Sequence, residues 1–158
     1  MSDLDFHDHD HSACRATLLR AAEQRCRDKG LQLTPVRRRV LELLAEGHRA
    51  MGAYEVLDLL RAEGFGSQPP VAYRALDFLV SNGLAHKIER LNAFIACALP
   101  GSRHAPVFLI CTGCGTVAET HLDLGDGRLG EIADRAGFEI GRAVVEIEGR
   151  CPTCREAA

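Results

Sequence analysis

The chain has no tryptophan, and its 158 residues include only two tyrosines and six phenylalanines. Any core it builds is therefore aliphatic, and any ring-stacking surface must be made from very few rings. No apolar run approaches the roughly 18–20 residues that span a bilayer. The first residues also lack the basic and apolar segments of a secretory signal. The expectation is a cytoplasmic chain that does not enter a membrane. A phosphate-cradling glycine loop is missing, as is a paired nucleophile and base, so an enzyme with a small-molecule substrate is not expected.

Apolar residues make up 46% of the chain, enough for one ordinary domain or two small ones. Seven cysteines need a reason. Thiols stay reduced in the cytosol, so metal binding or catalysis outranks a disulfide framework. The net charge of −3 hides a pattern. Residues 1–14 carry four Asp and no Lys or Arg, residues 15–90 are net +4, and residues 91–158 are net −3. A basic middle section inside an acidic chain suits a polyanion-binding unit joined to something else, against the plain alternative of an uneven surface.

Residues 1–12 read as an acidic, histidine-bearing disordered tail. A first helix is expected from about Ala13 to Lys29, capped by Ser12 and ended by Gly30, with Leu18, Leu19, Ala22 and Cys26 on one face. "LQLTPVRRRVLELLAEG" gives a second helix with Thr34 as N-cap and Pro35 as first helical residue. "GAYEVLDLLRAEG" gives a third, ended by Gly64. "PPVAYRALDFLVSNG" gives a fourth, from the prolines to Asn82-Gly83, with Ala75, Leu76 and Leu79 facing inward. Strands "LAHKIE" (84–89) and "AFIACAL" (93–99) follow, joined by a tight turn near Leu91-Asn92.

Several helices followed by a β-hairpin suggest a winged helix-turn-helix. Beyond the linker Pro100-Gly101-Ser102, "VFLICTGC" and "GTVAETHL" read as strands, "DGRLGEIADRAG" as a short helix, and "FEIGRAVVEIEG" as one long strand or two short ones. The fold class is α+β: residues 13–99 form a winged-helix DNA-binding domain with a hinge, and residues 100–158 form a small α/β domain.

On the fourth helix Tyr73, Arg74 and Asp77 share the outward face. Residues near the start of a second helix-turn-helix helix reach base edges in the major groove. Arg74 can pair bidentately with guanine, and Tyr73 can stack or contact the backbone. The competing reading is an ordinary solvated polar face.

"CTGCG" and "CPTC" supply Cys111, Cys114, Cys151 and Cys154. Each C-x-x-C sets two thiolates on one tight knuckle, and two knuckles give the tetrahedral sulfurs of a closed structural zinc site. A rubredoxin-type iron centre is the alternative, whereas a redox C-x-x-C usually comes singly.

A looser constellation lies in the hairpin. With the turn centred between Leu91 and Asn92, His86 falls opposite Cys97, close enough for both to hold one ion. His104 and Glu119 are the other unassigned candidates, and the four together make an N₂SO donor set suited to Zn²⁺. The competing reading is a hydrogen-bonded core histidine.

Together "LTPVRRRVLELL", "AYEVLDLLR", "PPVAYRALDFL", "LAHKIE", "CTGCG" and "CPTC" resemble the ferric uptake regulator family over about residues 15–155, most closely its zinc-sensing branch. The resemblance implies a homodimeric repressor that binds double-stranded, palindromic operator DNA and holds two Zn²⁺ per chain. It assigns Cys111, Cys114, Cys151 and Cys154 to the structural site. His86, Cys97, His104 and Glu119 go to the regulatory one. Tyr73 and Arg74 go to the DNA face, with Tyr54 as a further contact.

The chain departs from the family in two places. "RHAPVFLIC" has one histidine where iron-sensing relatives carry a run, which favours zinc, and "VAYRAL" replaces the usual "TVYRAL", so Val71 lacks a hydroxyl. His121 is expected to be a solvated surface residue. His7, His9 and His11, crowded on the tail, are not expected to be regulatory. The rival readings are an iron- or peroxide-sensing member of the family, or a zinc-ribbon interaction module without operator specificity.

Overall fold

The computed structural model describes residues 11–100, 105–122 and 127–157. The first ten residues, the linker residues Gly101 and Ser102, and His104 lie outside them. The described residues fall into two compact units, one within His7–Gly101 and the other within Ser102–Ala158.

The first unit holds helices α1 (His11–Asp28), α2 (Pro35–Leu44), α3 (Ala53–Ala62) and α4 (Pro69–Ser81), then strands β1 (Ala85–Ile88) and β2 (Ala93–Ala96). Helix α1 begins earlier than its sequence suggests. Ser12 sits inside it rather than capping it, because nothing in "HSAC" breaks a helix. Its expected inner face holds, with Leu19, Ala22 and Cys26 buried and Leu18 packed beside them. Helix α2 starts as its sequence specifies. Pro35 occupies the first turn, where no N–H is needed, and Thr34 Oγ1 accepts from Arg37 N at 3.4 Å. Its apolar stripe buries Val40, Leu41, Leu43 and Leu44. Gly30, Gly64 and Gly83, each at positive φ, follow α1, α3 and α4.

The helices share one aliphatic core. Val56, Leu57 and Leu60 from α3 and Ala72, Ala75, Leu76 and Leu79 from α4 are buried against α2, with few rings among them. Polar clamps hold the edges. Arg37 lays its guanidinium over the Phe78 ring at 3.7 Å, joining α2 to α4. Arg39 grips Glu63 at the end of α3 through two bonds of 2.6 and 2.7 Å, and Arg38 of α2 pairs with Glu23 of α1. The Arg39 hydrogen bonds hold the Glu63 carboxyl below the ordinary carboxylate range.

The wing is the antiparallel β1–β2 hairpin. Its register differs from expectation: Ala85 pairs with Ala96, and His86 with Ile95 rather than Cys97. The turn is four residues wide, Glu89–Asn92, closed by Asn92 N donating to Glu89 O at 3.1 Å with Asn92 at φ 46°. The turn is centred between Arg90 and Leu91 rather than between Leu91 and Asn92. Moving the centre by one residue moves each partner by two. A shift of two leaves side chains on the same face, so His86 and Cys97 become diagonal neighbours. Met51 bridges Phe94 from outside the hairpin through two 2.8 Å bonds, fastening the wing to the start of α3.

The second unit is a sheet of order β4–β3–β5 with two helices. It contains β3 (Ala105–Cys111), β4 (Val117–Leu122), α5 (Arg128–Arg135), β5 (Val145–Gly149) and α6 (Pro152–Glu156). Strand β4 runs antiparallel to β3 and β5 runs parallel to it. Val107, Phe108, Ile110, Val117, Ala118 and Ala133 supply its small core. The segment "FEIGRAVVEIEG" yields the single strand β5, and the second knuckle continues into α6, a helix absent from the sequence reading.

Removing the Thr34 hydroxyl deletes the α2 cap without disturbing the core. Thr34→Ala is expected to lower stability by about 1 kcal/mol, measured as a shifted urea midpoint with unchanged slope.

Candidate metal centre and nucleic-acid interface

Parallel pairing creates the metal centre. Because β3 and β5 run the same way, with Cys111 opposite Gly149, the chain leaves both strands at one edge of the sheet. The first strand ends in the Cys111–Cys114 knuckle. The second passes Arg150 into Cys151 and α6. Thr112 ties the two exits together, its N–H and hydroxyl both donating to Gly149 O, at 2.8 and 3.0 Å.

The four sulfurs of Cys111, Cys114, Cys151 and Cys154 all lie within 4.8 Å of one another. A tetrahedral zinc with Zn–S bonds of about 2.3 Å requires sulfurs about 3.8 Å apart. Cys114 Sγ and Cys151 Sγ are 3.8 Å apart. The donor set fits a four-coordinate, thiolate-bound ion with no position left for a substrate.

Backbone donors prepare the sulfurs for negative charge. Cys151 N donates to Cys111 Sγ at 3.3 Å, and Cys154 N donates to Cys151 Sγ at 3.5 Å. The Cys111 thiol is brought down to about 5, first by the Cys151 N–H and then by those of Cys114 and Gly113. Cys114 is lowered by the Thr116 hydroxyl, 3.1 Å from its sulfur, and by the Thr116 backbone. Cys154 is pushed up to about 12, first by the Cys151 sulfur beside it. Some thiols therefore ionise readily, and the last proton leaves when a cation offsets the crowded charge. A metal held by the four cysteines would displace that proton, so its affinity would fall as pH falls.

Gly113 is a supporting residue that the spacing only hinted at. A Cβ there would sit 2.9 Å from Cys154 Sγ and 3.2 Å from Cys154 Cβ, so a side chain would press directly on a ligand. Neither the Thr112 tie nor the Thr116 hydroxyl carries a sequence signal of its own.

In the first unit, His86 and Cys97 form a second donor pair. Cys97 N donates to Leu84 O at 3.0 Å, which carries the hairpin ladder one step past β2. The corrected register still puts a ring nitrogen and the Cys97 sulfur within 4.8 Å of each other. Cys97 is buried and His86 half-buried. In the second unit Glu119 lies on β4 opposite Phe108, half-buried, and His121 farther along the strand is exposed.

Helix α4 presents Tyr73, Arg74 and Asp77 to solvent, with Ala72, Ala75, Leu76 and Leu79 buried behind them. Tyr54 projects from α3, 65% exposed, and meets Tyr73 edge-on with ring centroids 6.5 Å apart. The chain's only two tyrosines thus share one surface with Arg74. Asp58 and Arg61 pair within α3 at 3.3 Å, as their spacing suggests.

A helix-turn-helix with a wing, in one chain with a thiolate metal centre, defines a metal-dependent DNA-binding protein. The Ferric uptake regulator family matches residues 28–148. The zinc uptake regulation protein of Escherichia coli (strain K12) is 37% identical over 140 residues, covering 88% of this chain and 82% of that one. A zinc uptake regulator complexed with zinc and DNA superimposes with a TM-score of 0.82 at 36% identity, covering 90% of this chain and 96% of that one. Holo XcZur superimposes with a TM-score of 0.74 at 39% identity, covering 90% and 99%. The chain belongs to the ferric uptake regulator family: it is a metal-responsive DNA-binding regulator and not an enzyme. Among the described residues no helix is long and apolar enough to cross a membrane.

The Gly113 contact makes a specific prediction. Gly113→Ala is expected to weaken metal retention at the four-cysteine centre by roughly tenfold or more. Metal release to a chromophoric chelator, compared with the wild-type chain, measures it.

Proposed function

We propose that the protein is a zinc-responsive repressor of zinc-uptake genes, acting as a homodimer on a palindromic operator. One Zn²⁺ is held structurally by Cys111, Cys114, Cys151 and Cys154. A second is held at a regulatory site of His86, Cys97, His104 and Glu119. Tyr54, Tyr73 and Arg74 face the DNA. The observation that carries the reading is the His86–Cys97 pair. A cysteine donor suits zinc better than the oxygen- and nitrogen-rich sites of iron, and the partners proposed for it lie outside the hairpin in sequence. The zinc uptake regulators among the relatives support the same choice of metal.

The mechanism is one of coupled equilibria. Ligands drawn from the winged-helix unit and from the C-terminal unit are satisfied together in a restricted set of arrangements. Bound zinc supplies the bond energy that favours those arrangements. In a dimer they set the separation of two recognition helices, which must match about one turn of DNA, roughly 34 Å. The coupling between zinc and DNA is therefore reciprocal. The apolar surface of the C-terminal unit supports self-association: Leu129, Ile132, Phe138 and Ile147 are exposed, and β5 is an edge strand.

Two expectations test this. Cys97→Ala and His86→Ala should retain one zinc per chain and the fold but lose zinc-dependent operator binding. Operator titrations in buffered free zinc, with metal counted by mass spectrometry, check this, and a full zinc response in either variant sinks the site. Buffered Fe²⁺ run in parallel separates zinc sensing from iron sensing. Arg74→Ala should weaken operator binding by about 1–3 kcal/mol with no change in thermal stability.

A further inference from the structure

The first turn of α4 is unusual for a helix that approaches DNA. Pro69 and Pro70 have no N–H, and Val71 N is already bonded to Gln68 O at 3.0 Å. Gln68 makes no side-chain cap. Helix starts commonly hold phosphate with their free N–H groups, and this one has given up those donors. Its placement must come from elsewhere in the unit.

The buried face of α4 supplies part of it, and the turn between α3 and α4 supplies the rest at the helix start. Arg61, in the last turn of α3, donates from Nη2 to Ser67 O at 3.2 Å, one residue before the N-cap Gln68. The same guanidinium is held by Asp58 at 3.3 Å. Gly66 sits at φ +134°, a conformation side chains rarely adopt, and its missing Cβ would lie 3.1 Å from Val71 Cγ2. The residue that replaces threonine thus has a packing role, because its methyls close against the glycine. Upstream, Arg39 fixes Glu63, so the strap runs from α2 through the end of α3 into the start of α4.

We propose that Arg61, Gly66 and Val71 form a bracket that presets the approach of the recognition helix, with Arg61 as a positioning residue for Tyr73 and Arg74 rather than a DNA contact. The inference rests on α4 being the reading helix and adds what aims it. A bracket governs how well the correct sequence is read. A phosphate contact instead governs affinity for any DNA and adds to its salt dependence.

The test uses the zinc-loaded full chain and a single-palindrome duplex selected by the wild-type protein from a random pool. Affinity is measured for that duplex and for a scrambled one across a salt series. Tyrosine emission reports the shared face directly, since the chain has two tyrosines and no tryptophan. Arg61→Ala and the uncharged change Gly66→Ala are each expected to lower affinity for the selected duplex by about fivefold. Scrambled-duplex affinity and salt slope should stay unchanged, and free-protein tyrosine emission should shift.

A salt slope reduced by about one unit in Arg61→Ala, with scrambled affinity falling in step, makes Arg61 a phosphate contact and overturns the bracket. So does a lowered melting temperature with an unchanged specificity ratio. If Gly66→Ala does not fold by circular dichroism, Arg61→Ala alone decides. Arg74→Ala is the separating control. Should it bind the selected duplex as tightly as wild type, the reading-helix assignment has failed, and not the bracket alone.

Discussion

Four sulfurs cannot sit within 4.8 Å of one another as thiolates unless something positive lies among them. The C-terminal unit is built around that constraint. Its core is a handful of aliphatic side chains and Phe108, on a sheet of three described strands. Domains this small often depend on a metal or another cross-link. Parallel pairing of β3 and β5 forces both knuckles to one edge, the Thr112 hydrogen bonds keep them there, and backbone N–H groups lower the Cys111 thiol before any ion arrives. A metal bound by those four sulfurs would add its binding energy to the stability of this unit. A centre with every position filled by protein suits a permanent staple and is poorly suited to sensing.

Sensing needs a different kind of site, with donors that can separate. The hairpin supplies one half of such a site. His86 and Cys97 are held together by the β1–β2 ladder, which the Cys97 N–Leu84 O bond extends past β2. A histidine and a cysteine alone make an incomplete coordination shell, so their affinity for zinc depends on what else can reach the ion. Three histidines as close in sequence as His7, His9 and His11 would lack that dependence, since all three come from one stretch of chain. Scattered ligands make metal occupancy report on arrangement, and neighbouring ones do not.

Much of the fold was legible because its punctuation is explicit. Thr34-Pro35 starts α2, the paired prolines start α4, and glycines follow three of the helices. The inner faces follow from spacing alone, and the C-x-x-C pairs declared the metal centre. The hairpin register was not legible. Turns centred one residue apart leave similar traces in "IERLNA", and only the folded ladder and Asn92 in the left-handed region separate them. The error was harmless to the site because a shift of two preserves the face. Helix α6 was missed because five residues beginning "PTC" carry no periodicity. Gly113 and Gly66 were invisible as constraints, since what bars a side chain at each is an atom distant in sequence or direction: the Cys154 sulfur for one and the Val71 methyls for the other.

Val71 shows how a local departure is absorbed. Read as sequence, a valine for threonine at the start of a recognition helix is a lost hydroxyl, hence a lost cap or phosphate contact. In the folded unit the cap has little left to do, because two prolines and the Gln68 carbonyl account for the first-turn donors. The side chain instead faces a glycine at φ +134°, a backbone conformation that other residues rarely adopt. Losing a polar contact there costs the helix little, and the apolar contact ties its start to the turn before it. With prolines in its first turn, α4 takes its direction from core packing, from the Arg37–Phe78 contact and from the turn before it, none of which need touch a base.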